Sequence, residues 1–412
     1  MPVADAARID AIFRIERARL IASLARNLHG DLALAEDLAQ DALVTALEVW
    51  TRAGVPDNPG AWLRTVAGRK AVDEWRRRRM QERKHGLIAA EDAEPQQDTE
   101  RPLSDSDDPD SLLALIFATC HPVLDNRSAA ALALRLLAGL TAEEIAHAYL
   151  TSEEAVTRRI SRAKATLRMT ARPFEIPCAA AFDPRVAAVL ETLYLIFAEG
   201  YAASRGCDPV RPDLCAEAVR LTRILLRKMP DRSEAWALLA LMELQSSRLR
   251  ARSDADGIAV PLTAQDRGLW DHHAILRGTI ALAKADALAM GDAPYLLEAM
   301  IAVCHACPGQ IDWPRIARLY DRLFAICPSS VVALNRAVAW SMAEGPEEGL
   351  IHLADIEAGG HLRDSAALHA AIADCLRRCG QHALAAARYR RAAELAGNQA
   401  VKRFLLAQAE DR

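Results

Sequence analysis

Strict alternation of Val, Ile or Thr with polar residues, the pattern of a half-buried strand, is almost absent from this chain. Ala, Leu and Arg, which lose little by entering a helix, are abundant, and aromatic residues make up only 5% of the sequence. An all-α fold is therefore expected, with essentially no sheet. The 412 residues, 51% of them hydrophobic, suffice for roughly two to four domains on length alone.

The formal net charge of −4 hides blocks of opposite sign, so local charge carries more information than the total. The N-terminus, Met-Pro-Val-Ala-Asp-Ala-Ala-Arg, lacks the apolar stretch of a signal peptide, and no later segment offers about 18 uninterrupted apolar residues for a membrane span. A soluble, cytoplasmic protein with no membrane partner is expected. Nine scattered cysteines fit buried thiols in a reducing compartment better than a disulfide framework. Cys304-His-Ala-Cys307 has metal-like spacing, but no second Cys/His pair lies near enough in sequence to complete a zinc site, so neither metal nor cofactor is expected.

Composition divides the chain into four parts. Residues 1–84 read as a first helical block, broken by the turn Gly30-Asp31 and by a loop from Thr51 to Gly60 with two Gly and two Pro. Residues 85–110 hold nine acids against a single Arg, with Pro95, Pro102 and Pro109 as breakers, and read as a flexible acidic linker. Residues 111–172 form a second compact helical block ending near Arg172-Pro173. Residues 173–412 read as helix pairs with a weak internal repeat: Gly380 as a turn glycine places Ile372, Ala373, Ala385, Tyr389 and Ala392 inside, and stepping back 35 residues reaches Gly345, with Ala337, Val338 and Leu350 at matching places. This spacing resembles the tetratricopeptide repeat, and the match degrades between Asp254 and Asp312.

Within the second block, Gly139 to Arg168 reads as a helix-turn-helix. Thr141 and Glu144 form a capping box for a short helix that carries Ile145 and Ala146 inward. After a turn at Leu150 to Ser152, a second helix capped by Thr151 or Ser152 turns Val156, Ile160, Ala163 and Leu167 inward. That leaves Glu154, Thr157, Arg158, Ser161, Arg162 and Lys164 outside, a face suited to a major groove and its phosphates.

Two features of the first block add to this. Between Ala61 and Lys84 there are nine Lys or Arg and three acids, with Trp62 and Trp75 interleaved, which combines phosphate neutralisation with rings that can stack on unpaired bases. The same rings could equally be core anchors, and Arg76 to Arg79 a solvated helix end. Upstream, Asp31 caps an amphipathic helix whose Leu34, Leu38, Ala42 and Leu47 can pack inward, with Asp37, Gln40 and Asp41 on one polar surface. Such an acidic patch repels DNA and suits a basic protein partner, though a solvated face is the usual fate of such residues.

The segments Ala35-Glu-Asp-Leu-Ala-Gln-Asp41, Ala61-Trp-Leu-Arg-Thr-Val-Ala67, Ala71-Val-Asp-Glu-Trp-Arg-Arg-Arg78, Gly139-Leu-Thr with Glu144-Ile-Ala146, and Val156-Thr-Arg-Arg-Ile-Ser-Arg-Ala163 occur in an order and spacing that resembles sigma-70 family factors of the extracytoplasmic function type. Leu193 to Ser204, Gln265 to Asp271 and Leu334 to Ala339 are similar to the C-terminal extension of a subgroup bearing tetratricopeptide-like repeats. The resemblance implies two small helical domains, regions 2 and 4, joined by the acidic linker and followed by the repeat domain. It implies that Asp37, Gln40 and Asp41 grip the β′ coiled coil of core RNA polymerase, with the β flap as a further contact. It implies that Arg64, Arg69, Lys70, Arg76, Arg77 and Arg78 lie where such factors capture and melt the −10 element of promoter DNA, the loop from Thr51 to Gly60 holding a flipped-out base. Glu154, Thr157, Arg158, Ser161 and Arg162 match the helix that reads the −35 element, and the linker would pass through the polymerase cleft. Family recognition helices commonly begin with Gly before the Val; this chain has Glu153-Glu154-Ala155 there, so its promoter preference is individual.

The leading expectation is a promoter-specificity subunit of bacterial RNA polymerase with a C-terminal domain acting in cis. The alternative is a free-standing helix-turn-helix regulator whose repeats bind a ligand or a protein or peptide partner. An enzyme is not expected: Asp266, Arg267, Asp271, His272 and His273 cluster near Trp270 without a nucleophile-base pattern, phosphate loop or metal spacing, and buried polar struts explain them more simply.

Overall fold

A computed structural model describes residues 3–28, 30–84, 109–121, 123–148, 151–169, 174, 179–203, 210–306, 309–360 and 362–410. Among them are eighteen α-helices and no strand, only one isolated bridge between Ser253 and Ala259. No helix among the described residues is long and apolar enough to cross a membrane. The chain divides into two compact units, residues 1–192 and 193–412.

In the first unit α1 (Val3–Asn27), α2 (Leu32–Ala53) and α3 (Pro59–Lys84) pack mutually. Asp31 caps α2 as expected, its carboxylate accepting from the Leu34 amide at 3.0 Å. The inward stripe of α2 is Leu32, Ala35, Leu38, Ala39, Ala42, Leu43, Ala46 and Trp50, a run whose three- and four-residue steps end on Trp50. Leu47, expected inside, is therefore turned outward and is 49% exposed. The loop before α3 is also shorter than expected, because α2 persists to Ala53 and Asn58 caps α3 through a 3.0 Å bond from the Ala61 amide.

The second helical block is part of the same unit. Its α4 (Pro109–Thr119) begins inside the span assigned to the acidic linker; residues 85–108 of that linker lie outside the described residues. Leu112 to Phe117 of α4 are all buried, and α4 packs against both α1 and α5 (Asn126–Leu137). Next come α6 (Ala142–Ala148) and α7 (Glu153–Met169), the two helices expected between Gly139 and Arg168. The capping box forms in both directions: Thr141 Oγ1 accepts from the Glu144 amide at 3.1 Å, and Glu144 accepts from the Thr141 amide at 2.8 Å. Ser152 caps α7, accepting from Ala155 at 3.3 Å.

One buried carboxylate ties these helices together. Glu36 on α2, 6% exposed, accepts from Arg17 of α1 at 2.9 Å, from Arg135 of α5 at 3.1 Å and from Lys164 of α7. Burial pulls the Arg17 pKa down, and the charge of Glu36 opposes that pull. The unit does not end near Arg172: α8 (Ala179–Tyr201) runs across the boundary. Its first half packs in the first unit, with Arg185 donating to the Phe117 carbonyl at 3.1 Å and Thr192 beside Cys120.

The second unit continues through α9 (Pro212–Lys228) and α10 (Ser233–Ser246), then an irregular stretch of three short 3-10 turns between Leu249 and Leu269. That stretch overlaps the beginning of the segment, Asp254 to Asp312, in which the repeat match degrades. From α11 (His272–Leu288) the chain proceeds as α12 (Pro294–Ala306), α13 (Trp313–Ile326), α14 (Ser330–Glu344), α15 (Pro346–Ala358), α16 (Ala366–Arg378), α17 (His382–Leu395) and α18 (Gln399–Glu410), each packed on the next. Small cores succeed one another along this array: Leu297, Ile316, Leu323 and Ala339, then Leu334, Leu353, Leu368 and Ile372, then Ala373, Tyr389, Ala392 and Leu405. Gly345 and Gly380 both lie in turns after helices with positive φ. The last helix returns to the start of the unit, where Asn398 donates to the Ala203 carbonyl at 3.2 Å and Arg403 to the Gly257 carbonyl at 3.0 Å.

Two stability predictions follow from this packing. Adding a Cβ at Gly349 on α15 would drive it into the Ser341 side chain and to 3.1 Å from the Cys375 sulfur, so Gly349→Ala should destabilise by about 1–3 kcal/mol in urea unfolding. Gly291→Ala, with nothing within 4 Å of its Cβ, should be near neutral in the same measurement. Glu36→Gln should lower stability by about 3 kcal/mol, because three cations lose their shared counter-charge while remaining partly buried. The exposed Glu48→Gln control should change stability by no more than about 0.5 kcal/mol.

Candidate nucleic-acid and partner-binding surfaces

The outward face of α7 is set by its inward one. Val156, Ile160 and Ala163 are buried against the rest of the first unit, which leaves Glu154, Thr157, Arg158, Ser161 and Arg162 exposed along one side. Thr157, Arg158, Ser161 and Arg162 line a shallow, open hollow there. Lys164 does not belong to this face. Its side chain is only 20% exposed and points to Glu36, so a residue expected to meet DNA is engaged in holding α7 against α2.

The two acids at the start of α7 have a local role. Hydrogen bonds from its own backbone amide and from Ser152, together with the charge of Arg158, hold the Glu154 carboxyl below its ordinary value. Glu153 and Glu154 occupy the first turn, where a negative charge meets the unpaired amides and the positive end of the helix dipole. The departure from the Gly-Val start is thus accommodated by helix capping.

On α3, Thr65, Arg69, Val72 and Arg76 are exposed and fall at three- and four-residue steps, so Arg69 and Arg76 share one side. Arg77 is exposed beside them and pairs with Glu74 at 2.7 Å. Arg64 is half-buried, its Nε without a hydrogen-bond partner. Lys70 donates to the Asp41 carbonyl at 3.0 Å and so links α3 to α2. Trp62 is half-buried with its ring 5.4 Å from that of Trp50, edge-on, and Trp50 in turn meets Phe13 at 5.6 Å. This aromatic chain makes Trp62 chiefly an anchor between α2 and α3. The side chains of Trp75 and Arg78 lie outside the described residues.

Asp37, Gln40 and Asp41 are all exposed on α2. The structure adds two residues that the sequence reading missed: Val44, 48% exposed, and Leu47 continue the same side by successive three- and four-residue steps. The result is a stripe that passes from acidic to apolar, a composition that solvent alone does not call for and that a protein surface can cover. The signal was present in the sequence, because assigning Trp50 to the core rotates Leu47 outward.

In the second unit the polar residues around Trp270 are used locally. Asp266 accepts from the Gly268 amide at 2.8 Å, Asp271 caps α11 through Ala274 at 3.0 Å, and His272 and His273 are exposed. Cys304 is buried in a core cluster of α12 to α14, and Cys307 lies outside the described residues. No group of three or more potential metal ligands occurs among the described residues.

Comparison with known proteins places names on these regions. The model of sigma-70 region 2 matches residues 15–80, the span of α1 to α3 that carries the α2 stripe and the α3 cations. A family of unknown function (DUF6596) matches residues 185–286. An uncharacterized protein of Rhizobium meliloti (strain 1021) is 42% identical over 355 residues, covering 84% of this chain and 82% of that one. No solved structure matches the chain.

Proposed function

We propose that this chain, which belongs to the same family as the Rhizobium meliloti protein and carries a sigma-70 region 2 domain, is a promoter-specificity subunit of bacterial RNA polymerase of the extracytoplasmic function type. The observation that carries the reading is the pairing of two dissimilar surfaces within the region 2 match: an acidic-to-apolar stripe on α2 and a cationic side on α3. A regulator that binds only duplex DNA needs the cations but not the stripe.

In this reading residues 1–84 are region 2, residues 85–110 the linker and residues 111–172 region 4. Asp37, Gln40 and Asp41, extended by Val44 and Leu47, meet the β′ coiled coil: the carboxylates oppose a basic partner surface and the apolar pair supplies area removed from water. Arg69, Arg76 and Arg77 neutralise the phosphates of the −10 region. Thr157, Arg158, Ser161 and Arg162 read the −35 region, one turn beyond the capping acids. The C-terminal unit regulates activity in cis through tetratricopeptide-like stacked helix pairs. A truncation that tests this must keep residues through Thr192, because α8 supplies Arg185 and Thr192 to the first unit.

The alternative of a free-standing regulator makes opposite predictions. Reversing Asp37 and Asp41 to Arg should lower co-purification with core polymerase at least about tenfold while leaving far-ultraviolet circular dichroism unchanged, and Leu47→Asp should act in the same direction. Undiminished polymerase binding in these variants removes the sigma reading. Arg158→Ala and Arg162→Ala should leave polymerase binding intact but weaken promoter engagement, each lowering the salt dependence by about one counterion where the lost contact is to phosphate. Titration of promoter binding at several salt concentrations measures this directly.

A further inference from the structure

The second unit contains arginines treated in two different ways. Arg223 and Arg277 both pair with the buried carboxylate of Glu243, the usual arrangement for cations at a helix interface. Arg248 and Arg252, which flank the 3-10 turn after α10, are half-buried and have no carboxylate within ion-pair reach among the described residues. Arg248 donates to the Tyr201 hydroxyl at 2.7 Å and lies 5.7 Å from the Tyr201 ring centre and 5.8 Å from that of Trp270. Arg252 sits 3.9 Å over the same Tyr201 ring. Aromatic faces soften the loss of water around a guanidinium but do not neutralise it, so these two guanidinium groups share one neighbourhood, with Arg267 also over Trp270 at 5.3 Å, and neither is paired with a carboxylate among the described residues.

The surroundings are rich in donors. Arg252 Nε, Trp270 Nε1 and His305 Nδ1 are buried without a hydrogen-bond partner. Burial, aided by Arg248 and Arg267, pushes the His305 pKa down to about 4, so the ring adds no charge at neutral pH. Glu298, which shares Tyr320 with Arg248 as an electrostatic neighbour, is pushed up to about 7 by burial and by Glu234. Tyr201, Arg248, Arg252, His305 and Tyr320 are each half-buried as residues. Buried donors facing paired cations have one common complement, an anion with several acceptor oxygens.

We propose that Arg248 and Arg252, with Trp270 beside them, form a binding site for a small phosphomonoester. A phosphomonoester carries nearly two negative charges at neutral pH and three acceptor oxygens, which matches two guanidinium groups and the unpartnered donors; a single carboxylate supplies one charge and two oxygens. The site lies wholly within the second unit and depends on neither polymerase nor promoter.

Calorimetric titration of the full chain with inorganic phosphate and with phenyl phosphate, against chloride at equal ionic strength and against malonate, tests this. Saturable binding of both phosphates is expected, with affinity reduced at least about tenfold in Arg248→Gln and in Arg252→Gln and unchanged in the exposed Arg250→Gln. A second measurement needs no variant: phosphate should slow modification of Arg248 and Arg252 by phenylglyoxal in the native chain, mapped by mass spectrometry, without protecting Arg250. Absence of saturable phosphate binding, equal binding in the Arg248 and Arg252 variants, absent protection of both arginines, or tighter binding of malonate than of phosphate overturns the assignment. Because these readouts involve no polymerase, their failure leaves the sigma reading untouched, and failure of that reading leaves this site standing.

Discussion

A carboxylate taken out of water is stable only where cations meet it closely, and Glu36 meets three. Arg17, Arg135 and Lys164 come from three different helices, so satisfying one acid requires α1, α2, α5 and α7 to converge. The buried apolar stripe of each helix sets which side faces the core, as Val156, Ile160 and Ala163 do for α7. The ion cluster reinforces that direction: with Lys164 drawn to Glu36, Arg162, two residues earlier and so on the opposite side of α7, points away, and Arg158, one turn before Arg162, shares its side. The outward face of α7 thus rests both on its apolar stripe and on how one buried charge is neutralised.

Much of the local structure was legible from the sequence because its determinants are local. The capping box of Thr141 and Glu144, the cap at Asp31, the inward run of Val156, Ile160 and Ala163, and the paired turns at Gly345 and Gly380 each depend on residues within one or two helical turns. Helical periodicity also placed Asp37, Gln40 and Asp41 on one exposed side. What escaped depends on partners far away in the chain. Lys164 looks solvent-facing from its own helix alone, and only Glu36, 128 residues earlier, takes it inward. Likewise α8 reads as the start of the C-terminal part until the Phe117 carbonyl claims Arg185.

The second unit shows the same division between near and far. Stacked helix pairs follow from small residues recurring along the sequence, but Tyr201, Arg248, Trp270 and His305 come from separate elements and meet only when the array is assembled. The irregular stretch between Leu249 and Leu269 contains Arg252 and leads directly into Trp270.

The first turn of α7 couples two properties that are usually separable. Glu154 completes the helix start through its amide and the Ser152 hydroxyl, and it is also an exposed acid on the outward side. A change at this position therefore alters the population of frayed α7 ends together with any contact it makes to a base edge. Arg158 shares in this coupling, because its charge helps hold the Glu154 carboxyl below its ordinary value, whereas Arg162, about two turns further on, does not enter it. A substitution in the first turn therefore weakens the helix start unless a substitute cap arises, whereas one at Arg162 leaves that start intact.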